Sequence, residues 1–428
     1  MRLALVLIFT GSLAAPAGAA DFRTLAGHGG PVMSAEIGPD GVYALTGSFD
    51  NSVGYWDLTS EGVVWLEGHR AAVKTVMFLD KTTAASGGDD FAVRIWDLSS
   101  GQLKRTLSGH QGQVAGLALS PDGRRLASAS WDGSIGIWDL DGDAHLSLTG
   151  HGGVVNDVAF APDGRLFSAS ADGTIRVWDI EERAEVRRLV NHGFGVNKLV
   201  LHEGWLAYGA VDGGTRVIEA DTGEEIADLT AGRRPILSLA LSPDGSELSV
   251  GDGEGYVMSV ATDGWRISGD FKAAGKGPVW ALSYSADGIS LLGGGIDDFA
   301  VIWPVAADLD APVMGNTPRG FLADPDSLTN GERQYRRKCS ICHSLEDDGV
   351  RRAGPTLSGI MGRDAGAVEG YVYSDTVANL GFAWSADTID QLFDIGPDDY
   401  IPGSKMPQQR ITRPEDRQDL IDFLRNNT

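Results

Sequence analysis

Most of the chain reads as short runs in which apolar and polar positions alternate, a pattern that predicts half-buried β-strands. Turn sequences separate the runs, among them residues 120–123 (Ser-Pro-Asp-Gly) and 161–164 (Ala-Pro-Asp-Gly). The runs repeat as a unit, because Gly-His pairs recur every 41 residues, ending at His28, His69, His110 and His151. His192 continues the series without its glycine. A period of this length predicts a repeat architecture.

The first four units each close with a Trp-Asp pair, at residues 56–57, 96–97, 138–139 and 178–179. Together with the Gly-His pairs, these closures resemble the WD40-repeat family, whose units are four-stranded propeller blades. Three further units have lost some of these marks and end near Ile218, Val260 and Trp303. The resemblance implies an all-β, seven-bladed propeller over residues 21–305, in which an N-terminal strand at Phe22–Ala26 completes the last blade.

In a WD40 blade, a histidine, a serine, an aspartate and a tryptophan commonly form one buried hydrogen-bonded chain. The resemblance implies complete sets in three units: His28, Ser48, Asp50, Trp56; His110, Ser130, Asp132, Trp138; and His151, Ser170, Asp172, Trp178. The second unit has Gly88 where the serine is expected, which predicts a weaker chain there. Because the histidines recur at one place in each blade, we interpret them as structural rather than as metal ligands.

The repeat pattern stops after Trp303. Residues 306–321 are polar and aperiodic, which predicts a linker, and residues 331–338 could form an amphipathic helix. The helix leads into residues 339–343, whose sequence C-x-x-C-H is the attachment motif of haem c. Two thiols at this spacing reach both vinyl groups on one porphyrin edge, and the histidine follows under the iron. A redox dithiol and half of a zinc site are the alternatives, although the chain has two cysteines in all, so zinc lacks a second pair.

Residues 322–428 resemble class I cytochromes c, an all-α family, and especially the mitochondrial type and its bacterial relatives. The matching positions, besides the C-x-x-C-H motif, are Gly331, Tyr335, 354–357 (Gly-Pro-Thr-Leu), Gly359, 362–363 (Gly-Arg), 373–375 (Tyr-Ser-Asp), Trp384, 400–406 (Tyr-Ile-Pro-Gly-Ser-Lys-Met) and the closing helix at 419–424. The chain is thus expected to be multidomain, with the propeller followed by an all-α cytochrome c domain.

This second resemblance also implies roles for individual residues. One haem c would be attached through Cys339 and Cys342, with His343 and Met406 as the two axial ligands of the iron. The carbonyl group of Pro355 would accept the free N–H of His343. The propionates would contact Arg363, Tyr373 and Trp384, and the first and last helices would cross at Tyr335, Leu420 and Phe423. Val377 and Leu392 depart from the asparagine and tyrosine that relatives often carry near the methionine.

The net charge and the N-terminal residues limit the kinds of partner and the cellular location that the sequence predicts. The net charge of −24 argues against nucleic acid as a partner, because phosphates would be repelled. The 58 glycines fit frequent tight turns, and two cysteines exclude a disulfide-stapled scaffold. Residues 1–20 combine Arg2, an apolar run and a terminal Ala-Gly-Ala-Ala, which predicts a secretory signal peptide and export to the periplasm of a bacterium. No later segment is predicted to span a membrane.

The predicted function is single-electron transfer through one His/Met-ligated haem c, with the propeller as a platform for another protein. The redox donor and acceptor are expected to be proteins, and basic residues near the haem edge could help them to dock: Arg336, Arg337, Lys338, Arg351, Arg352 and Lys405. Two alternatives remain open from the sequence. The propeller could carry a second cofactor or a substrate site, which would make the protein a redox enzyme, or the haem could serve as a redox sensor.

Overall fold

The computed structural model describes residues 22–60, 62–230, 235–305, 312–315, 328–340, 342–349, 352–402, 404, 406 and 409–428. The predicted signal peptide lies outside these residues, as do Arg351, Lys405 and most of the predicted linker. Two folded units are present: a ring of seven four-stranded antiparallel sheets, and a helical unit that follows it. This architecture confirms the all-β propeller and the all-α domain that the sequence predicts.

Blades 1 to 3 are formed by consecutive strands. Blade 1 has β2 (Val32–Ile37), β3 (Tyr43–Ser48), β4 (Ser52–Asp57) and β5 (Val63–Glu67). Blade 2 has β6 (Val73–Phe78), β7 (Thr83–Gly88), β8 (Ala92–Asp97) and β9 (Gln102–Ser108). Blade 3 has β10 (Val114–Leu119), β11 (Arg125–Ser130), β12 (Ser134–Asp139) and β13 (His145–Thr149).

Blades 4 to 6 repeat the same arrangement. Blade 4 has β14 (Val155–Phe160), β15 (Leu166–Ser170), β16 (Thr174–Asp179) and β17 (Ala184–Asn191). Blade 5 has β18 (Val196–His202), β19 (Trp205–Ala210), β20 (Thr215–Glu219) and β21 (Glu225–Asp228). Blade 6 has β22 (Ile236–Leu241), β23 (Glu247–Asp252), β24 (Tyr256–Ala261) and β25 (Arg266–Lys272).

Blade 7 closes the ring. It is built from β26 (Val279–Tyr284), β27 (Ser290–Gly295), β28 (Phe299–Pro304) and the N-terminal strand β1 (Arg23–Ala26). Strand β1 pairs antiparallel with β28, with Leu25 opposite Ala300, so the predicted N-terminal closure is confirmed. The first strands of successive blades pack side by side around the centre, and β26 packs beside β2. Closure of this kind leaves few exposed sheet edges.

In blades 1, 3 and 4, for which a complete buried chain was predicted, the observed chain differs from the predicted set by one member. In blade 1, Thr46 Oγ1 lies 2.6 Å from His28 Nε2 and accepts a hydrogen bond of 2.7 Å from Trp56 Nε1. Ser48, which we predicted to have this place, instead donates to the carbonyl group of Gly30. Both hydroxyl groups lie on one face of β3, because side chains two residues apart share a face. The prediction chose the wrong one of the two.

The same correction applies to blades 3 and 4, and blade 2 requires a different one. Ser128 and Ser168 bond the histidine and the tryptophan of blades 3 and 4, in place of the predicted Ser130 and Ser170. In blade 2, Ser86 Oγ lies 2.7 Å from both His69 Nε2 and Trp96 Nε1, and Asp90 lies 2.9 Å from His69 Nδ1. The chain of blade 2 is therefore complete, and the prediction that Gly88 weakens it is wrong.

Burial lowers the pKa of His69, His110 and His151, so these imidazoles are neutral at pH 7 although each contacts an aspartate. A neutral ring can donate one hydrogen bond and accept another, which matches its two partners in each blade. The histidines thus have a structural part in the described blades.

In the part of the second unit that the structure describes, there are five helices: α1 (Asn330–Lys338), α2 (Asp375–Ala378), α3 (Ala386–Ile395), α4 (Pro397–Tyr400) and α5 (Pro414–Asn427). Thr329 caps α1, and its hydroxyl group accepts from the backbone N–H of Glu332. The observed α1 begins one residue before the predicted start. Leu420 and Phe423 of α5 pack with Tyr335 of α1, whose ring centroid lies 5.5 Å from that of Phe423.

Gly331 allows α1 and α5 to approach closely. A Cβ atom at this position would lie 2.8 Å from the Cβ of Phe423, which is shorter than real carbon contacts.

Residues 312–315, within the predicted linker, lie against the propeller: Met314 is buried and its N–H donates to the carbonyl group of Ala273. Among the described residues, no helix has the length and apolar character needed to cross a membrane.

The complete chain in blade 2 generates a test of the corrected hydroxyl position. We expect Ser86→Ala to lower the free energy of unfolding of the propeller by about 2 kcal/mol, because it leaves the buried indole N–H of Trp96 and the buried Nε2 of His69 without a partner. Scanning calorimetry of the full chain would measure the change. Exposed Ser147→Ala in β13 is the control and should have little effect.

Gly88→Ser distinguishes the two positions directly. A Cβ atom at Gly88 would lie 2.7 Å from the carbonyl oxygen of Ala72, so this substitution should also destabilise the propeller. A stabilising effect of Gly88→Ser, or an unchanged Ser86→Ala protein, would contradict the assignment.

Candidate haem-binding site

The last turn of α1 positions the C-x-x-C-H motif. The N–H of Cys339 donates to the carbonyl group of Tyr335, and the N–H groups of Cys342 and His343 donate to the carbonyl group of Cys339. This turn sends both thiols and the imidazole into one cavity of about 630 Å³. The hydroxyl group of Tyr335 donates to the carbonyl group of His343 at 3.0 Å, a bond that the sequence analysis missed because it gave Tyr335 a packing role alone.

A returning loop fixes the imidazole from the other side. The N–H of Gly354 donates to the carbonyl group of Cys342, and His343 Nδ1 lies 2.7 Å from the carbonyl oxygen of Pro355. If Nδ1 carries the proton, Nε2 is left with its lone pair towards the cavity. Burial lowers the pKa of His343, which favours the neutral ring that a metal requires.

All eight predicted site residues line this one cavity. They are Cys339, Cys342, His343, Pro355, Arg363, Tyr373, Trp384 and Met406. Met406 also packs against the buried cluster of the helical unit, as do Val377 and Trp384. The N–H of Met406 donates to the hydroxyl group of Ser404 at 3.0 Å, which fixes the backbone there. These residues lie up to 67 positions apart in the sequence.

The thiols lie in apolar surroundings. Cys339 and Cys342 are 4 % and 9 % exposed, and burial raises the pKa of each to about 12. A redox dithiol needs an accessible thiolate with a lowered pKa, so this environment argues against that alternative. Covalent haem attachment uses two thiols beside an imidazole whose Nε2 lone pair faces the haem cavity. The residues present therefore fit haem c.

Polar side chains of the helical unit also line the cavity. Arg363 donates to the carbonyl groups of Ser358 and Thr356, at 2.5 and 2.7 Å, and burial lowers its pKa. The hydroxyl group of Tyr373 accepts from the N–H of Val368, and that of Tyr371 donates to the carbonyl group of Ala353. Tyr371 lines the cavity and was missed, although its spacing of two from Tyr373 would place it nearby.

Apolar side chains form another wall. Ile389, Leu392 and Phe393 of α3 face the cavity and belong to the buried cluster of the helical unit. Val377 joins them, so the two departures from the relatives, Val377 and Leu392, both contribute carbon to the lining. A cavity lined by a pair of thiols, an imidazole, a thioether, a guanidinium group and apolar side chains defines a haem-binding helical domain of the cytochrome c class.

Comparison with known proteins gives the same class for the second unit. The cytochrome c family model matches residues 328–428, and the chain belongs to that family through this domain. Cytochrome c of Gibberella zeae is 38 % identical over 101 residues, which are 24 % of this chain and 94 % of that protein. Cytochrome c of Gossypium barbadense is 35 % identical over 106 residues, covering 25 % of this chain and 95 % of that protein.

The propeller is matched by a second model, described as WD domain, G-beta repeat. It matches residues 21–57, 61–97, 101–139 and 142–179, which correspond to four of the seven units. The remaining three blades are recognised from the strands that they form. The protein therefore combines a WD40 propeller, the architecture of a protein-interaction platform, with a cytochrome c domain for electron transfer by covalently bound haem c.

The close approach of Gly354 to the imidazole generates a prediction. A Cβ atom at this position would overlap the His343 ring, lying 2.7 Å from Nδ1. We expect Gly354→Ala to displace the ring and to lower the fraction of chains that carry haem by about tenfold or more. The pyridine haemochrome absorbance per protein would measure it.

Gly381→Ala is the matched control in the same domain. A Cβ atom at Gly381 would meet no atom within 4 Å, so haem content should stay at the wild-type level. Full haem content in Gly354→Ala would show that the loop does not position the imidazole.

Proposed function

We propose that the protein transfers single electrons through one haem c, which is attached to Cys339 and Cys342 and ligated by His343 and Met406. The observation that carries the proposal is the convergence of these four side chains on one cavity. When bound, the haem would supply a one-electron couple at its iron, and ligation by an imidazole and a thioether would favour the reduced state. With both His343 and Met406 as ligands, the site would suit electron transfer rather than oxygen chemistry.

The chain's own residues prepare this cavity. The Pro355 carbonyl group and the Gly354 backbone hold His343 in one orientation, so little rearrangement is needed when the iron changes charge. Ile389, Leu392 and Phe393 keep water from one side of the cavity. Val377 and Leu392 have apolar side chains where relatives often carry an amide and a hydroxyl group, so neither can donate a hydrogen bond to the Met406 sulfur.

The cation of Arg363 is fixed where acidic groups of a haem would need neutralisation. Two backbone carbonyl groups hold its guanidinium group, and Tyr373 and Trp384 line the same cavity. We therefore assign Arg363, Tyr373 and Trp384 to the propionates.

The propeller would bring the haem to another protein. Its many acidic residues account for most of the net charge of −24 and favour a basic partner surface. The helical domain offers fewer free cations than the sequence suggested: Arg336 pairs with Glu332 at 2.7 Å and Arg352 with Asp348 at 3.0 Å. We propose that the redox donor and acceptor are proteins and that the propeller binds one of them.

Export is part of the proposal. The charged start, apolar run and small-residue end of residues 1–20 support cleavage and release into the periplasm. Haem c is attached outside the cytoplasm in bacteria, so the proposed location and the proposed cofactor require each other.

Replacing Met406 tests the axial ligand. We expect Met406→Ala to keep haem c, because the thioether bonds and His343 remain, but to lose the long-wavelength methionine-to-iron band of the oxidised protein. The reduction potential should fall, since a harder ligand or water stabilises ferric iron. Optical spectra and a redox titration would measure both changes.

Met361→Leu is the control, because Met361 packs against the same buried cluster. It should keep the band and the potential. A band that survives in Met406→Ala would contradict the proposed ligation, and wild-type protein without haem c would overturn the function.

The location is tested by expressing the full chain in a bacterium that makes periplasmic cytochromes c. We expect the haem-stained protein in the periplasmic fraction, with an N-terminus at residue 20 or 21 by mass spectrometry, after Ala19 or Ala20. A variant with charged residues in place of Leu5 and Leu7 should stay in the cytoplasm without haem. An uncleaved, haem-loaded protein in the cytoplasm would contradict the proposal.

A further inference from the structure

The haem-binding cavity is lined by residues of both units. Turns of blades 1 to 3 supply part of its wall, including Phe49, Asn51, Arg70, Asp89, Phe91 and Gln113. These turns follow β3, β5, β7 and β9, and all lie at the rim of the ring where the central strands begin. This rim of the propeller therefore faces the opening of the cavity.

Phe91 is the unusual residue of this rim. The same turn occurs in six blades, and its third residue has a positive φ in each: 70° at Asn51, 65° at Phe91, and 82–94° at Gly133, Gly173, Gly213 and Gly255. Glycine and asparagine adopt this conformation readily, whereas a bulky side chain is strained there, by about 1–2 kcal/mol. Strain of this kind is concentrated at functional sites.

Phe91 is also poorly covered by the propeller itself. Its side chain is 44 % exposed, although the ring lines the haem-binding cavity. An aromatic side chain that is both strained and exposed does not serve the core of blade 2, which is filled by Val76, Phe78 and Trp96. Its position suits contact with an apolar group outside the blade.

Two polar side chains of this rim also have an oxygen atom without a hydrogen-bond partner. Among the described residues, Asp89 Oδ1 and Gln113 Oε1 are buried without a hydrogen-bond donor. Both residues line the cavity, and Lys338 of α1 lines it from the helical domain. Burial raises the pKa of Asp89, and the charge of Lys74 partly offsets this effect. The ammonium group of Lys338 is a hydrogen-bond donor of the kind that these two acceptors lack.

We propose that this rim of blades 1 to 3 is a docking surface for the chain's own haem edge, with Phe91 as its central apolar contact. The inference rests on the proposed function, because it needs haem in the cavity. The propeller then covers the edge through which electrons pass and excludes water from it. Small molecules and protein partners reach the haem more slowly while the two units are docked.

Phe91→Gly in the full-length holoprotein tests the surface. Glycine suits the positive φ, so the propeller should become more stable, and loss of the ring should open the haem edge. We expect severalfold faster reduction by a small neutral quinol in stopped-flow measurements, with unchanged haem content. The reduction potential should fall, because water stabilises the ferric charge. Phe194→Ala removes an aromatic side chain that is 58 % exposed and should change none of these quantities.

Cross-linking provides a readout that does not depend on electron transfer. Lys74 lies at the rim, with its amino group 5.9 Å from the Trp131 ring centroid, whereas Lys272 lies on the outer strand β25 of blade 6. An amine-reactive cross-linker should join Lys338 to Lys74 but not to Lys272, and Phe91→Gly should weaken the first link. Mass spectrometry would identify the pairs.

The outcomes separate the two proposals. Haem-free wild-type protein would remove the proposed function, and the docking of haem with it. Haem-loaded protein without the Lys338–Lys74 link, or a Phe91→Gly variant that gains stability with unchanged rate and potential, would overturn the docking surface alone.

Discussion

The contact between the His343 ring and the loop at Gly354 and Pro355 is the constraint on which the haem-binding domain depends. The Pro355 carbonyl group fixes Nδ1, and the absence of a side chain at Gly354 lets the loop pass directly against the ring. The ring position also depends on the turn that follows α1. The hydroxyl group of Tyr335 stabilises this turn by donating a hydrogen bond to the carbonyl group of His343. The crossing of α1 over α5 at Gly331 sets where this turn begins.

In the propeller, the equivalent constraint is the hydroxyl group shared by a histidine and a tryptophan. It joins the start of a blade to its second and third strands, so one oxygen atom holds three segments together. Since this oxygen is buried, its removal costs far more than the loss of a surface bond. The regular spacing of Gly-His and Trp-Asp in the sequence reflects this geometry.

Much of the fold was predictable because its signals are periodic or local. Strand alternation, Pro-Asp-Gly turns and the C-x-x-C-H spacing each act over a few residues, and the N-terminal closure through β1 followed from the resemblance. The errors arose where a period leaves two equivalent choices. Thr46 and Ser48 share a face of β3, and the reach of the Trp56 indole, which no pattern encodes, selects Thr46.

The contact between the propeller and the helical domain could be predicted only in part from the sequence. Aligning the repeats shows Phe91 where four blades have glycine, a signal present in the sequence, yet the direction that this turn faces comes from the assembled molecule. Phe91 gives a physical reason for the presence of the propeller and the cytochrome c domain in one chain, because its strained ring lies beside the haem-binding cavity. Because both units belong to one chain, their effective concentration is high, so weak contacts suffice to keep the edge covered. A partner protein then has to compete with the propeller for the haem, and selectivity follows from that competition.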